Sequence, residues 1–391
     1  MVLGWKMNVV VVGGGFAGVK AALELSKRRV GKITLISDEL YFLHHATLYA
    51  TATGKNIAES VISLKDIFAN HPNVTFVQDT IKTIDPERKL LIGGKKQYRY
   101  DEAILALGSV TTYFGVKGLA QHAYGIKSLD EIKRFKEHVH HEVVVKKLDK
   151  EYFVIGAGST GVELAGALQE YVNYLKRTYR LKGRRTRITI VEAAHRIVPH
   201  ASGTAARLVS KRLHKLGIKV LTNHTVDALD EDHIMIDGKK TQTTTTVWTA
   251  GVANNPFFQA NSTAFHLAPN GRVNVNPYLE ATPYVYVIGD NNTVKFSGSA
   301  WPAMDQAVFV AKHVHRLKKH RLTFGFIPHR PMFGLPVGEG WGYVEWKGVY
   351  LSGWSGYVAR RWMELYGYTR LMPFKKAVAV WRAHDLPQVD E

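Results

Sequence analysis

The chain contains no cysteine. That absence excludes structural disulfides, iron–sulfur ligation and any redox relay that works through thiols. Acidic residues are also in short supply: 33 Asp and Glu stand against 52 Lys and Arg, a formal charge of +19. Such an excess calls for a negative partner surface, and nucleic acid and anionic lipid are the obvious ones. No apolar run approaches the roughly 20 residues that a membrane-crossing helix needs. The first twelve residues run straight into a glycine loop, without the charged region, apolar core and cleavage site of a secretory leader, so a cytoplasmic protein is expected. With 391 residues, 46% of them hydrophobic, the chain is too long for one compact core and too apolar to be disordered, and two or three domains are expected.

One pattern occurs twice. Asn8-Val9-Val10-Val11-Val12 reads as a buried strand, followed by Gly13-Gly14-Gly15-Phe16-Ala17-Gly18 and an apolar-periodic helix from Val19 to Leu25. A bare GxGxxG is weak in a chain with 34 glycines, but strand, glycine turn and helix together make a phosphate cradle. Gly13 permits the tight turn, Gly15 the approach of a pyrophosphate and Gly18 the close packing of helix on strand. The phosphates then lie at the positive end of the helix. The next strand, Lys32 to Ile36, ends at Ser37-Asp38, where a carboxylate can accept from an adenosine ribose; Asp38 is one residue late for that role. The second copy runs Tyr152 to Ile155, then Gly156-Ala157-Gly158-Ser159-Thr160-Gly161, then a helix start. Its own second strand, Arg187 to Val191, ends at Glu192. Two complete copies predict two dinucleotide sites in an α/β protein of Rossmann-like domains.

On these residues the chain resembles the two-dinucleotide-binding flavoprotein reductases, and among them the type II NADH dehydrogenases, single-subunit NADH:quinone oxidoreductases that pump no protons. The resemblance covers nearly the whole chain. It includes Tyr41, Leu48-Tyr49 and Ala52-Thr53-Gly54, Tyr100-Asp101, Ala106-Leu107-Gly108-Ser109, the stretch Gly158 to Gly166, Trp248-Thr249-Ala250-Gly251-Val252, and Val285-Tyr286-Val287-Ile288-Gly289-Asp290. It implies FAD at Gly13, Gly15, Phe16, Ala17, Gly18, Ser37, Asp38, Thr53, Gly108 and Asp290, the last on the ribityl chain. It implies NADH at Gly156, Gly158, Ser159, Thr160, Gly161, Glu192, Ala250 and Gly251. Glu163 falls beside the nicotinamide and flavin rings, where a carboxyl can orient the ring or assist protonation; as a first-turn acid it could equally face only the helix dipole. A carboxylate at Glu192 accepts from a 2′-hydroxyl and repels a 2′-phosphate, which favours NADH, while Arg196 nearby could accommodate that phosphate.

The implied architecture is an FAD domain from residues 1–125 and 256–325, an NADH domain at 126–255 inserted between them, and a C-terminal amphipathic, membrane-facing region at 326–391. After the Gly-Asp strand the family carries an Ala-Gln and a Gln-Gln pair bordering the quinone. Here Met304-Asp305 and Phe309-Val310 stand in those places and Gln306 is the glutamine nearby. By position, Met304, Gln306, Ala307 and Phe309 are the expected quinone neighbours. Relatives that work through cysteine thiols are excluded. A soluble NADH oxidase or diaphorase, and an NADH-sensing flavoprotein with little turnover, stay open as alternatives.

The basic clusters Lys312–Arg321 and Lys176–Arg187, the latter with Arg180, Lys182, Arg184 and Arg185, lack interleaved aromatics or a reading motif, so no nucleic-acid partner is expected. In the C-terminal region Trp354, Val358, Trp362 and Leu365 share a helical face, with Arg360, Arg361 and Glu364 elsewhere on the turn; Phe374, Val378 and Trp381 repeat the spacing beside Lys375, Lys376 and Arg382. Such stripes can pack on the body, form a homodimer contact, or lie in an anionic headgroup layer. The resemblance implies the last, a peripheral protein at the cytoplasmic face of the cell membrane, released by removal of residues after Gly348. His138, His140 and His141 lie in a charged helix without ligand partners, and no metal is expected.

Overall fold

The computed structural model describes residues 7–145, 150–181 and 186–385. Of the second basic cluster, Lys182, Arg184 and Arg185 lie outside the described residues. Two sheets organise an α/β fold, the larger parallel except for its antiparallel edge strand Glu280–Thr282. The larger runs in the order Glu280–Thr282, Val285–Val287, Glu102–Leu105, Asn8–Val12, Lys32–Ser37, Val74–Gln78. Asn8–Val12 is hydrogen-bonded on both sides to parallel neighbours, and Val9 to Val12 are all buried. A strand covered on both faces has no polar side to show, which is why its sequence is a run of valines.

The smaller sheet is parallel as well: Lys219–Thr222, Thr186–Glu192, Lys150–Ile155, Thr245–Trp248. An antiparallel ribbon, Ser109–Thr111 with Val252–Asn254, carries the chain between the two sheets. The helix Phe16–Lys27 buries Val19, Ala21, Ala22, Leu23 and Leu25 and packs beside the helix Ala300–Lys318. The helix Ser159–Thr178 does the same service for the second sheet.

The C-terminal region departs from expectation. A three-stranded antiparallel sheet, Phe333–Pro336, Gly342–Trp346 and Val349–Gly353, precedes the helices Trp354–Thr369 and Phe374–Ala383. Leu365, Tyr368, Leu371, Met372, Ala377 and Val380 belong to the core of the first sheet, whereas Leu335, Val337 and Tyr343 belong to that of the second. The region therefore staples both halves together. The expected polar side of Trp354–Thr369 is turned inward: Arg360, Arg361 and Glu364 are buried, while Trp354 is 73% and Trp362 61% exposed. Cutting after Gly348 would strip apolar surface from a core and unpair buried charges, so clean release by truncation is corrected: that cut destabilises the body. Among the described residues no helix is long and apolar enough to cross a membrane.

Candidate functional site

Both glycine loops are built alike, and each glycine has a separate physical cause. Gly13 has φ +113, and a Cβ there would lie 2.1 Å from the Ala106 carbonyl oxygen; a Cβ at Gly18 would lie 1.9 Å from the Gly13 oxygen. At Gly15 a Cβ would meet nothing within 4 Å. The second loop repeats this: Gly156 with φ +100 against Ala250, Gly161 with its Cβ position 1.9 Å from the Gly156 oxygen, and open space at Gly158. Turn and packing glycines are sterically locked, and the middle glycine faces a void. Gly15 and Gly158 are also the N-caps of their helices, and neither start is capped by a side chain. Two positive helix ends thus open onto space shaped for a diphosphate, and the residues present fit a dinucleotide at each loop.

Around the first loop, Phe16 meets Phe42 edge-on at 5.0 Å and His44 at 5.1 Å, and Ala17 is buried beneath it. Ser37 is buried and crowds Gly14, while Asp38 is exposed at the strand end beside Gln78, Asp79 and Thr80. Thr53 donates its hydroxyl to the carbonyls of Tyr49 and Ala50, so that side chain is spent on its own turn and only its backbone remains for a ligand. Asp290 accepts from Ser109 Oγ at 3.0 Å. Lys127 Nζ lies 3.5 Å from the same hydroxyl, and burial lowers its pKa against the opposing pull of Asp290. Gly108 is clamped by Asn291, which accepts from its N–H and donates to its carbonyl.

Around the second loop, Glu192 accepts from the backbone N–H of Ala157 at 2.7 Å and of Ala194 at 2.8 Å. This carboxylate holds the loop as well as marking the strand end. Arg196 donates to the carbonyls of Pro199 and Ala201, which turns its guanidinium toward its own chain. Ser159 and Thr160 are exposed at the helix start, and Ala250 and Gly251 form the strap beside the loop.

Glu163 is buried one turn into the second helix. Burial pushes its pKa up to about 8, opposed by Arg360, whose guanidinium lies 4.0 Å away. Arg360 donates to Glu364 at 2.8 Å, as does Arg361, which also reaches the Trp381 carbonyl. His384 pairs with the buried Glu59 at 2.7 Å. His44, packed on Tyr368 at 4.5 Å, is pushed down to about 3 by burial and by Arg360. These groups form a buried, low-dielectric cluster in which nearby carboxylates favour the charge on Arg360 and burial favours the protonated form of Glu163. The helix spacing of Arg360 and Glu364 was visible in sequence; their meeting with Glu163 was not.

The acceptor-side expectation is corrected. Met304 and Ala307 are buried in the core of the first sheet, and Phe309 stacks on His313 and meets Phe326 edge-on. Gln306 is fully buried, accepts from the Gly289 N–H and the Asn292 amide at 2.8 Å each, and donates to Ser297. Its amide is consumed in holding the Gly289-Asp290 turn, so Gln306 positions Asp290 and does not face an acceptor. His138 pairs with Thr245 and stacks on Tyr124, and His140 pairs with Tyr179.

This pair of cradles on two mainly parallel sheets defines a class. Residues 7–307 match the pyridine nucleotide-disulphide oxidoreductase family, and the chain belongs to it, although it has no cysteine for disulphide chemistry. It is similar to the type II NADH:quinone oxidoreductase of Staphylococcus aureus, 27% identical over 369 residues, which covers 88% of this chain and 91% of that protein. Its fold is similar to that of NDH2 from Plasmodium falciparum solved in complex with NADH, with TM-score 0.84 and 18% identity over 97% of this chain and 98% of that one. It is similar too to the sulfide:quinone oxidoreductase of Aquifex aeolicus, with TM-score 0.76 and 16% identity over 97% and 92% of the two chains.

Proposed function

We propose that the chain is an FAD-dependent NADH:quinone oxidoreductase that pumps no protons. The observation that carries this reading is the pair of sterically matched glycine loops, each opening at an uncapped helix start, with Asp290 beside one and the proton-holding Glu163 beside the other. FAD, held by the first glycine loop and Asp290, would supply the redox chemistry: hydride acceptance from NADH and the two-electron, two-proton reduction of a quinone.

The protein's part is binding, orientation and proton management. The loop Gly13 to Gly18 and its helix start hold the FAD diphosphate, Asp38 takes the adenosine ribose, and Asp290, fixed by Ser109 and by the Gln306 network, takes the ribityl hydroxyls. Gly156 to Gly161 hold the NADH diphosphate with Ala250 and Gly251 alongside, and Glu192 takes the ribose 2′-hydroxyl. Arg196 is committed to two carbonyls of its own chain and not turned to a 2′-phosphate, which supports NADH over NADPH. Glu163 keeps a proton on its carboxyl below about pH 8 and can deliver it as reduction generates negative charge nearby. The FAD domain comprises 1–125 and 256–325, the NADH domain 126–255, and the C-terminal region 326–391.

The C-terminal surface supports peripheral docking at the cytoplasmic face of the membrane. Trp346, Trp354, Trp362, Tyr366 and Phe374 are exposed beside Lys347, Lys375 and Arg382, the composition that suits an anionic headgroup layer. The test is anaerobic. NADH should bleach the yellow flavin of the purified protein, and a short-chain quinone should restore the colour far faster than oxygen does. A protein that stays colourless with excess FAD refutes the reading. Oxygen outpacing every quinone would replace it with a soluble NADH oxidase.

A further inference from the structure

The strand order of the second sheet fixes the direction in which a dinucleotide must lie. Its glycine loop leaves the strand Lys150–Ile155; Glu192 ends the neighbour on one side, and Thr245–Trp248 is the neighbour on the other. With the adenosine at Glu192 and the diphosphate on the helix start, the remaining half crosses the strap Thr249–Val252. At that strap stands Phe114, which the sequence motifs do not touch.

Its ring tip lies so close to Gly251 that a Cβ on this glycine would come within 2.4 Å of Phe114 Cε2. Ala250, the next residue, is packed against Gly156 of the loop, whose own Cβ position lies 2.8 Å from it. The ring also meets Trp248 edge-on at 6.3 Å and 65°, and Trp248 is fixed by its Nε1 hydrogen bond to the Thr112 carbonyl at 2.8 Å. A continuous line of contact therefore joins the phosphate loop to Phe114. Two further facts set this ring apart. Phe114 is 69% exposed, and its φ is +51, a left-handed conformation that a bulky side chain keeps only where its surroundings hold it. An exposed position of this backbone shape would favour glycine, as at the following Gly115 with φ +73. Instead the fold holds a strained aromatic with its tip against the strap and most of its surface open.

We propose that Phe114 is the platform on which the nicotinamide-riboside half of NADH packs, completing a grip whose other end is the glycine loop. The inference rests on the assignment of the second loop to NADH. An aromatic face takes up a planar ring and a ribose edge by contact, without protons or hydrogen bonds, so Phe114 contributes affinity and orientation at the reactive end of the dinucleotide.

The test compares two probes on the FAD-loaded protein by calorimetric titration: NAD+, which carries both halves, and ADP, which carries only the adenosine diphosphate. Phe114→Gly removes the ring and relieves the left-handed backbone, and Phe114→Leu keeps volume without a ring. In both, NAD+ binding should weaken about five- to tenfold while ADP binding stays as in the parent protein. Phe114→Tyr should bind both probes normally, and Phe114→Gly should melt no lower than the parent. Unchanged NAD+ affinity in the glycine and leucine variants overturns the proposal. So does a parallel loss of NAD+ and ADP, which would make Phe114 a prop for the loop. A parent protein that binds neither probe refutes the NADH assignment itself, and the platform with it.

Discussion

Replacing Glu163 by glutamine removes a carboxyl that the fold keeps protonated, and the consequence is readable in stability as well as in turnover. In the unfolded chain the proton leaves near 4.5, whereas burial, opposed by Arg360, delays its release to about 8 in the folded protein. The native state thus binds this proton more tightly than the unfolded state does. Its stability must fall as pH rises from 4.5 to about 8 and level off above. At about 1.4 kcal/mol per pH unit, the part of that loss falling between about pH 5.5 and about pH 8.5 is roughly 3 kcal/mol. Urea unfolding of parent and Glu163→Gln at both pH values isolates the contribution, since glutamine cannot ionise and every other group is common to the two proteins. The parent should lose about 3 kcal/mol relative to the variant across that interval. Quinone-dependent reoxidation should show the same group: in the parent it declines above about pH 8 as the acid form disappears, while Glu163→Gln is slower by about 100-fold and flat through that region. Identical pH slopes of stability in the two proteins would refute the reasoning, because the carboxyl would then titrate as an ordinary exposed one.

Two further outcomes follow from burial and hydrogen bonding. Gln306→Leu keeps the volume of a fully buried side chain but leaves the Gly289 N–H and the Asn292 amide without their acceptor; stability should drop by about 2–3 kcal/mol, and flavin should be lost on prolonged dialysis while ADP binding is retained. Retention of flavin as in the parent would mean that the Asp290 turn does not depend on this amide. The pair Trp354→Ser and Trp362→Ser alters two exposed side chains, so unfolding should change by less than about 0.5 kcal/mol each, yet sedimentation with anionic vesicles should fall about tenfold. Undiminished sedimentation would place the membrane contact elsewhere.

The nucleotide cradles were legible in the sequence because their physics is local. Strand, turn, cap and helix follow within about a dozen residues, and Gly13, Gly18, Gly156 and Gly161 are demanded by backbone atoms a few positions away or on the adjoining strand. The strand Val285–Val287 and the Gly289-Asp290 turn after it were marked by the resemblance, not by local physics. The C-terminal helix Trp354–Thr369 was not legible. Its spacing left body packing, a dimer contact and a membrane face open, and nothing in it marked Arg360, Arg361 and Glu364 as buried while Trp354 and Trp362 stay exposed.

What the sequence determined alone, then, is the presence of two phosphate-binding turns, the exclusion of thiol chemistry and the chain's positive charge, all properties of composition or of near neighbours along the backbone. What the tertiary structure decided is which groups share a low-dielectric space. Arg360 meets Glu163 across a separation of 197, Glu59 meets His384 across a separation of 325, and Gln306 turns inward because the Gly289 N–H needs an acceptor there. Charges and amides are buried only where partners arrive to satisfy them, and those partners come from segments that folding brings together from distant parts of the chain.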